Sequence, residues 1–432
     1  MRVASSALCP RGNDGNGQAS QYGAGRKAAM QRTGFPADVP YVGVMRRTLT
    51  NAVRAIALLV VTSATAAGAP PFILVGLDGK TFFDPAGGRN GPNGHDSVGI
   101  LDVSDEARPR LVHTLPLDNS VYGPPTNLGI TPNGRLGLVA SSVLMRQEGT
   151  AWYAQPDDRL HVIDLAAVPP RLVETVKVGR QPSGIAIDRS GGLALVANRG
   201  GRSVTVLTIA GTTVRTVATI DVGDEAAAVA FAPDGHRAFV AKNKAAKLGV
   251  LSIDGTQVRS ETGLDLPVGP GVYGLAVTPD GAVALTGNTG PEPSDGHADT
   301  VSVIRADGTR PVVIDHLGIG DTPEALAIAP DGRHAAVSVV RGASAPHGSP
   351  GYTPNGAVAL LSIAPDGQVR RVAEAPAGAV TQGIVFSPSG DYVYVGNYVD
   401  RTLGVYRVVG DTLTDTGHRV TLPGQPASLG GR

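Results

Sequence analysis

An all-β chain built from repeated four-stranded units is what the sequence predicts, on three observations. Six segments share one template of strand, tight turn and strand. Its 58 glycines and 33 prolines are dispersed among short apolar runs such as LALVAN and VYVGN, which is the punctuation of many short strands and not of disorder. The segments recur at a period of roughly 45 to 60 residues, the size of one supersecondary unit.

The six copies begin at Pro125, Pro182, Ala226, Val272, Pro323 and Thr381. Each opens with a strand of small apolar residues and turns on Pro-Asp-Gly or a variant of it. A second strand rich in Val, Leu and Ala follows. Proline fixes φ, Asp or Asn bonds its own backbone, and Gly supplies the positive φ of a tight turn, so each copy is a β-hairpin. A loop of variable length leads to a third alternating strand, as in SVTVLTI (203–209), LGVLSI (248–253), TVSVI (300–304) and TLGVYRV (402–408). A fourth strand, RTVATIDVG (215–223) and its equivalents, precedes the next copy.

Four antiparallel strands at this period form the blade of a β-propeller, packed radially so that only protected edges remain. An open solenoid is the alternative, and counting separates the two. First strands occur six times, whereas second strands occur seven times, because FILVG (72–76) and SVGILDV (97–103) have no first strand ahead of them. The segment QPASLG (425–430) supplies the missing piece, with Leu429 where Ile185 falls in its own copy. Only a closed ring uses it. The prediction is therefore a seven-bladed β-propeller over residues 70–431, closed by the C-terminal strand joining the first blade.

The ends of the chain carry other expectations. Residues 45–70, MRRTLTNAVRAIALLVVTSATAAGAP, combine an Arg-rich start, an apolar stretch and an Ala64-Thr65-Ala66 pattern. Together these read as a secretory signal peptide over 45–66, its apolar stretch far short of the ~20 residues of a membrane span. Residues 1–44 show no strand pattern and read as a disordered or mis-assigned extension, with Met45 as the expected start. Secretion or a periplasmic location follows. The single cysteine, Cys9, falls in that extension, so disulfides, thiol catalysis, Cys-ligated metals and Cys-attached haem are excluded from the mature chain. A formal net charge of +0 excludes an electrostatic grip on nucleic acid or an anionic surface.

The segments YVYVGN (392–397), LVANRGGRSVTVLTI (195–209) and FVAKNKAAKLGVLSI (239–253) resemble the YVTN-repeat propellers, and the pattern is also similar to the lactonase-type seven-bladed propellers. The resemblance implies architecture, and through the lactonase type a hydrolase or isomerase acting on cyclic esters. A WD-repeat propeller is disfavoured, since no Trp-Asp pair closes any copy.

What recurs in every copy is structural, and a functional site has to break the symmetry. Asn198, Asn243, Asn288 and Asn397, ending second strands, are accordingly read as turn-capping residues. The symmetry-breaking loops are 81–97, 143–159, 290–300 and 341–357, placed on one face with the blade-to-blade loops, where binding concentrates on rigid scaffolds. They hold His95, Asp96, Trp152, Tyr153, Glu292, Asp295, His297, Asp299, His347 and Tyr352. His95, His297 and His347 could bind a transition metal through neutral imidazole.

Around the channel mouth the blade-to-blade loops place Asn119, Tyr122, Arg180, Gln181, Asp224, Glu225, Tyr273, Asp321, Glu324 and Gln382. Asp224, Glu225, Asp321 and Glu324 are the candidate acids, bases or Ca²⁺ ligands. Tyr122, Arg180, Gln181, Tyr273, Gln382, Trp152 and Tyr352 are the candidate ligand contacts. The sequence has no Gly-x-Ser-x-Gly, P-loop or His-Glu-x-x-His, and no Gly-x-Gly-x-x-Gly between strand and helix, so nucleotide and serine-hydrolase chemistry are disfavoured. The expectation is an exported scaffold that binds a small molecule, a surface polymer or an exported protein. The alternatives are a lactonase-like enzyme using the channel carboxylates, and a redox-associated periplasmic propeller with a non-covalent cofactor.

Overall fold

In the computed structural model, residues 71–119, 123–291 and 294–432 are described, and they form seven four-stranded antiparallel sheets arranged as the blades of a propeller. The expected signal peptide and the extension before it lie outside the described residues. Blades 2 to 7 each use four consecutive strands, whereas blade 1 takes its inner strand, Gln425–Gly430, from the far end of the chain. That strand pairs with Phe72–Asp78 in the register Val75 to Leu429 and Leu77 to Pro426. In blade 3 the corresponding pairs are Val196 to Ile185 and Asn198 to Pro182. Leu429 therefore does stand where Ile185 does.

The turns form for the reason the sequence suggested. Gly134, Gly191, Gly235, Gly281, Gly332 and Gly390 all have φ between 72° and 84°, which costs a glycine little and a β-branched residue a great deal. Beside them Asn133, Asp234, Asp280 and Asp331 each accept the N–H two residues on at 2.9–3.0 Å.

The core lies between blades and not within them. One apolar cluster joins Leu195, Val204 and Val206 of blade 3 to Val240 and Leu251 of blade 4. Another joins Tyr394 and Val405 of blade 7 to Val75 and Leu101 of blade 1. Each fully buried Val or Leu contributes about 1.5–3 kcal/mol, so every blade depends on both neighbours. Across the closing seam, the Tyr394 hydroxyl donates to the Glu106 carbonyl at 2.7 Å and the Ser389 N–H to the Glu106 carboxylate at 3.0 Å.

Three local departures matter for the site. The stretch 81–97 is not all loop, because Thr81–Asp84 pairs with Gly87–Asn90 as a separate hairpin. The stretch 143–159 is likewise ordered, as Leu136–Glu148 and Ala151–Asp164 continue pairing past the blade to Glu148 and Ala151. In blade 4 the outer strand is split into Gln257–Ser260 and Leu266–Pro267 around a short 3-10 turn.

Candidate functional site

The asparagines separate scaffold from site. Asn198, Asn288 and Asn397 are the last second-strand residues to pair with the third strand, opposite Ser203, Thr300 and Thr402. Each is buried and donates its amide to those hydroxyls at 3.0–3.1 Å, fastening the start of the third strand. Asn243 does not belong to this set: Lys242 takes the position in blade 4 and pairs with Asp265 at 2.7 Å. Asn243 instead bridges blades, donating to the Val272 carbonyl at 2.9 Å and accepting from Arg199 at 3.3 Å. In blade 1 Leu77 occupies the position, and the amide comes from outside, Asn119 donating to the carbonyls of Leu77 and Ser97 at 3.1 and 3.0 Å.

One residue further along, the repeat breaks down. That place holds Asp78, Ser142, Arg199, Asn243, Thr289, Val340 and Tyr398 in blades 1 to 7, and in blade 7 its occupant, Tyr398, lines a cavity at the channel mouth. The Arg199 guanidinium lies 5.7 Å from the Tyr273 ring centroid and pairs with Glu225 at 3.1 Å. The Tyr398 ring meets Phe83 edge-on with centroids 5.6 Å apart.

Over this mouth lies the hairpin of Thr81–Asp84 and Gly87–Asn90. It leaves blade 1 and reaches the blade 6 loop, where the His347 N–H donates to the Pro85 carbonyl at 3.0 Å. Phe83 packs on an apolar cluster of Val340, Val380, Tyr398 and Ala427. On its other flank Asn90 donates to the Trp152 carbonyl at 3.3 Å. Asn93 both donates to and accepts from the backbone of Met145, at 2.6 and 2.7 Å. The hairpin thus roofs a cavity of about 330 Å³ lined by Thr81, Phe83, Gly88, Arg89, Asn90, Gly123, Tyr273, Glu324, Gln382, Tyr398 and Ala427. Arg89 stands at its exposed rim, paired with Asp84 at 3.0 Å and lying 5.2 Å from the Phe82 ring centroid.

Tyr273, Glu324 and Gln382 were expected at the mouth and do line the cavity. The other three candidate carboxylates are elsewhere. Asp224 accepts the Glu225 N–H at 2.5 Å, and Glu225 is the partner of Arg199. Asp321 accepts the hydroxyls of Ser294 and Thr322 at 2.6–2.9 Å. Nearby Asp299 has its carboxyl pushed up, by burial first and by the Asp321 charge. The four carboxylates therefore do not converge, since they sit on two separate blade junctions.

The histidines are not assembled into a metal centre either. His95 borders a different groove, His297 is exposed beside Asp295, and His347 packs on Tyr352 with ring centroids 4.5 Å apart. Among the described residues no group of three or more His, Cys, Asp or Glu is placed to hold a metal ion. Of the remaining candidates, Arg180 is exposed on the rim, and Gln181 (φ 54°) is held by its backbone to Asp157 and Arg199. Trp152 stands on the blade 2 hairpin, and Tyr122 and Glu292 lie outside the described residues.

Sequence reasoning missed Phe83, Arg89, Asn90 and Tyr398. It also missed Asp78 and Lys80 behind them, and took Asp96 for a loop residue where it is a buried charge: the three are 1%, 1% and 5% exposed, and Lys80 bonds Asp96 and, at 2.8 Å, the Asn119 carbonyl. A signal existed, since Asp78 and Lys80 follow an otherwise apolar strand and Asp96 immediately precedes the strand paired with it.

No protein-family model and no curated protein matches the sequence. Solved structures do. A putative 6-phosphogluconolactonase of Bacteroides uniformis is 17% identical with a TM-score of 0.60, over 84% of this chain and 99% of that one. The periplasmic gluconolactonase of Pseudomonas aeruginosa is 19% identical with a TM-score of 0.58, over 83% and 98%. Hydrazine synthase of Kuenenia stuttgartiensis is 17% identical with a TM-score of 0.55, over 72% and 90%. At such identities the likeness is one of fold, and the chain is accordingly a seven-bladed β-propeller whose structural neighbours include lactonase-type and other propellers.

Proposed function

We propose that the chain is an exported binding protein that takes a small polyhydroxylated ring compound, of the sugar-acid or lactone class, into the roofed cavity. The observation that carries this reading is the lining itself. Phe83, Tyr273 and Tyr398 offer apolar faces for the C–H face of a ring, while Asn90, Gln382 and Glu324 offer acceptors and donors to hydroxyls. Few convergent polar groups among aromatic walls is the ordinary composition of a small-molecule site. The leader pattern at 45–66 supports export. Lactone hydrolysis is the second reading, favoured by Glu324 as a carboxylate in the cavity, able to act on water as a general base, and by the fold shared with proteins named as gluconolactonases.

Calorimetric titration of the secreted protein with aldonates, aldonolactones and neutral hexoses, run beside a pH-stat assay of lactone opening, tests both. The binding reading expects a saturable, unconsumed ligand whose affinity falls about tenfold or more in Tyr273→Ala, a loss of roughly 1.4 kcal/mol. Lactone consumption abolished in Glu324→Gln moves the assignment to the hydrolase. If no compound binds or is consumed at millimolar concentration, the cavity assignment is lost. A mature N-terminus read upstream of Met45 would remove the export element alone.

A further inference from the structure

The root of the roof hairpin is a buried hydrogen-bond chain that does not balance with ordinary protonation states. Asp78 ends the second strand of blade 1, and its carboxylate accepts the N–H of Lys80 at 3.1 Å and of Thr81 at 2.9 Å, which sets the direction in which the hairpin leaves the blade. Gly79 is needed between them, because a Cβ there would stand 2.4 Å from the His95 carbonyl oxygen. Across the closing seam, 320 residues away in sequence, the Tyr398 hydroxyl contacts Asp78 Oδ2, and it also meets the Thr81 carbonyl at 2.9 Å. A phenol has one proton to donate. A carboxylate and a carbonyl are both acceptors, so with Asp78 ionised only one of these two contacts is a hydrogen bond. With Asp78 neutral, its O–H donates to Tyr398, Tyr398 donates to Thr81, and both are made.

Charge points the same way. Lys80 is the one cation in the buried trio with Asp78 and Asp96, and it lies against Asp96, leaving Asp78 3.9 Å from the ammonium. With both carboxylates ionised the trio is a net buried anion, which is costly away from water. With Asp78 neutral it is balanced. The other ionisable groups on this flank are His95 and Arg401, both exposed on the groove that Asp78 borders from within.

We propose that Asp78 is a proton-operated latch: neutral, it ties the roof hairpin through Tyr398 to blade 7 and holds the cavity closed, and ionised, it lets the hairpin loosen. Burial foremost pushes the Asp78 carboxyl up to about 6, Asp96 adding to the rise while Lys80 and Tyr398 oppose it. Because the folded state favours the neutral form, the latch is complete below the ordinary carboxylate range and is lost as pH rises through about 6. An exported protein passing from acidic to neutral surroundings would thus change its grip on whatever the cavity holds. This regulation rests on the cavity being the ligand site, but the roof can be read without any ligand.

The experiment is amide hydrogen exchange of residues 81–90 in the ligand-free protein from pH 4.5 to 8, corrected for intrinsic rates. The wild type is expected to lose protection roughly tenfold, the worth of one buried hydrogen bond, with a midpoint near 6. Asp78→Asn, neutral at every pH, is expected to show no transition over this range. Tyr398→Phe is expected to be poorly protected throughout, and it serves alone if the first variant does not fold. Protection independent of pH in the wild type, or an unchanged midpoint in either variant, overturns the latch. Because no ligand is present, these outcomes are independent of whether any sugar acid binds.

Discussion

Blade 7 and blade 1 are neighbours in the ring and solve the same packing problem by opposite means. Blade 7 is continuous chain, and Asn397, buried in its own sheet, fastens the third strand by donating to Thr402 and accepts the Gly378 N–H at 2.9 Å. Blade 1 is assembled from both ends of the described chain, has Leu77 where blade 7 has Asn397, borrows Asn119 for the amide, and buries Asp78, Lys80 and Asp96 beside it. The regular blade is stabilised by neutral, locally satisfied groups; the composite blade carries charge that must be balanced, and it alone sends out the hairpin over the mouth. Departure from the repeat and proximity to the cavity coincide, as expected when a symmetric scaffold specialises at one place.

The comparison can be broken most severely at the seam. Deleting residues 425–432 removes the inner strand of blade 1, exposes the edge of Phe72–Asp78 and uncovers the clusters shared with blades 7 and 2. We expect loss of the wild-type cooperative transition in thermal unfolding and association through the freed edge; an unchanged melting curve would show that closure is dispensable. Less severe is Lys80→Met, which leaves two buried carboxylates without their cation. Removing one partner of such a group costs about 3–5 kcal/mol, and we expect that loss in denaturant unfolding at pH 8, shrinking toward pH 5 as Asp78 takes up its proton. The smallest effect is expected in blade 7, where Asn397→Ala costs about 1–3 kcal/mol, the penalty of unpaired buried groups, with no dependence on pH across the same range. Equal pH dependence in both variants would erase the distinction between the two blades.

The ring itself was legible because its signals are local. Pro-Asp-Gly or a variant ending in Gly marks each of the six hairpins, and the surplus second strand demands the tail at Gln425. The site was half legible. Tyr273, Glu324 and Gln382 follow from the repeat, since each is the second residue of an inner strand. Phe83 and Tyr398 do not, because their meeting depends on where a hairpin of blade 1 comes to rest on blade 7, a relation set by ring closure over a very long sequence separation. The loops misled in a definite way: length alone singled out His95, His297, His347 and Tyr352, yet the loops meet through backbone and amide contacts and do not bring these side chains together, His347 propping Pro85 through its backbone. Asn243 was misassigned by one residue, which on a strand exchanges one face for the other.

The strand Gln425–Gly430 also has a consequence in time. During synthesis the blade 1 strands Phe72–Asp78, Ser97–Asp102 and Arg110–Pro116 emerge first, but the strand that completes their sheet follows six whole blades. Until it arrives, a nascent chain with six complete sheets still carries one unpaired apolar edge, and so the slowest and most aggregation-exposed step of folding is expected to be the last one, when the two ends meet.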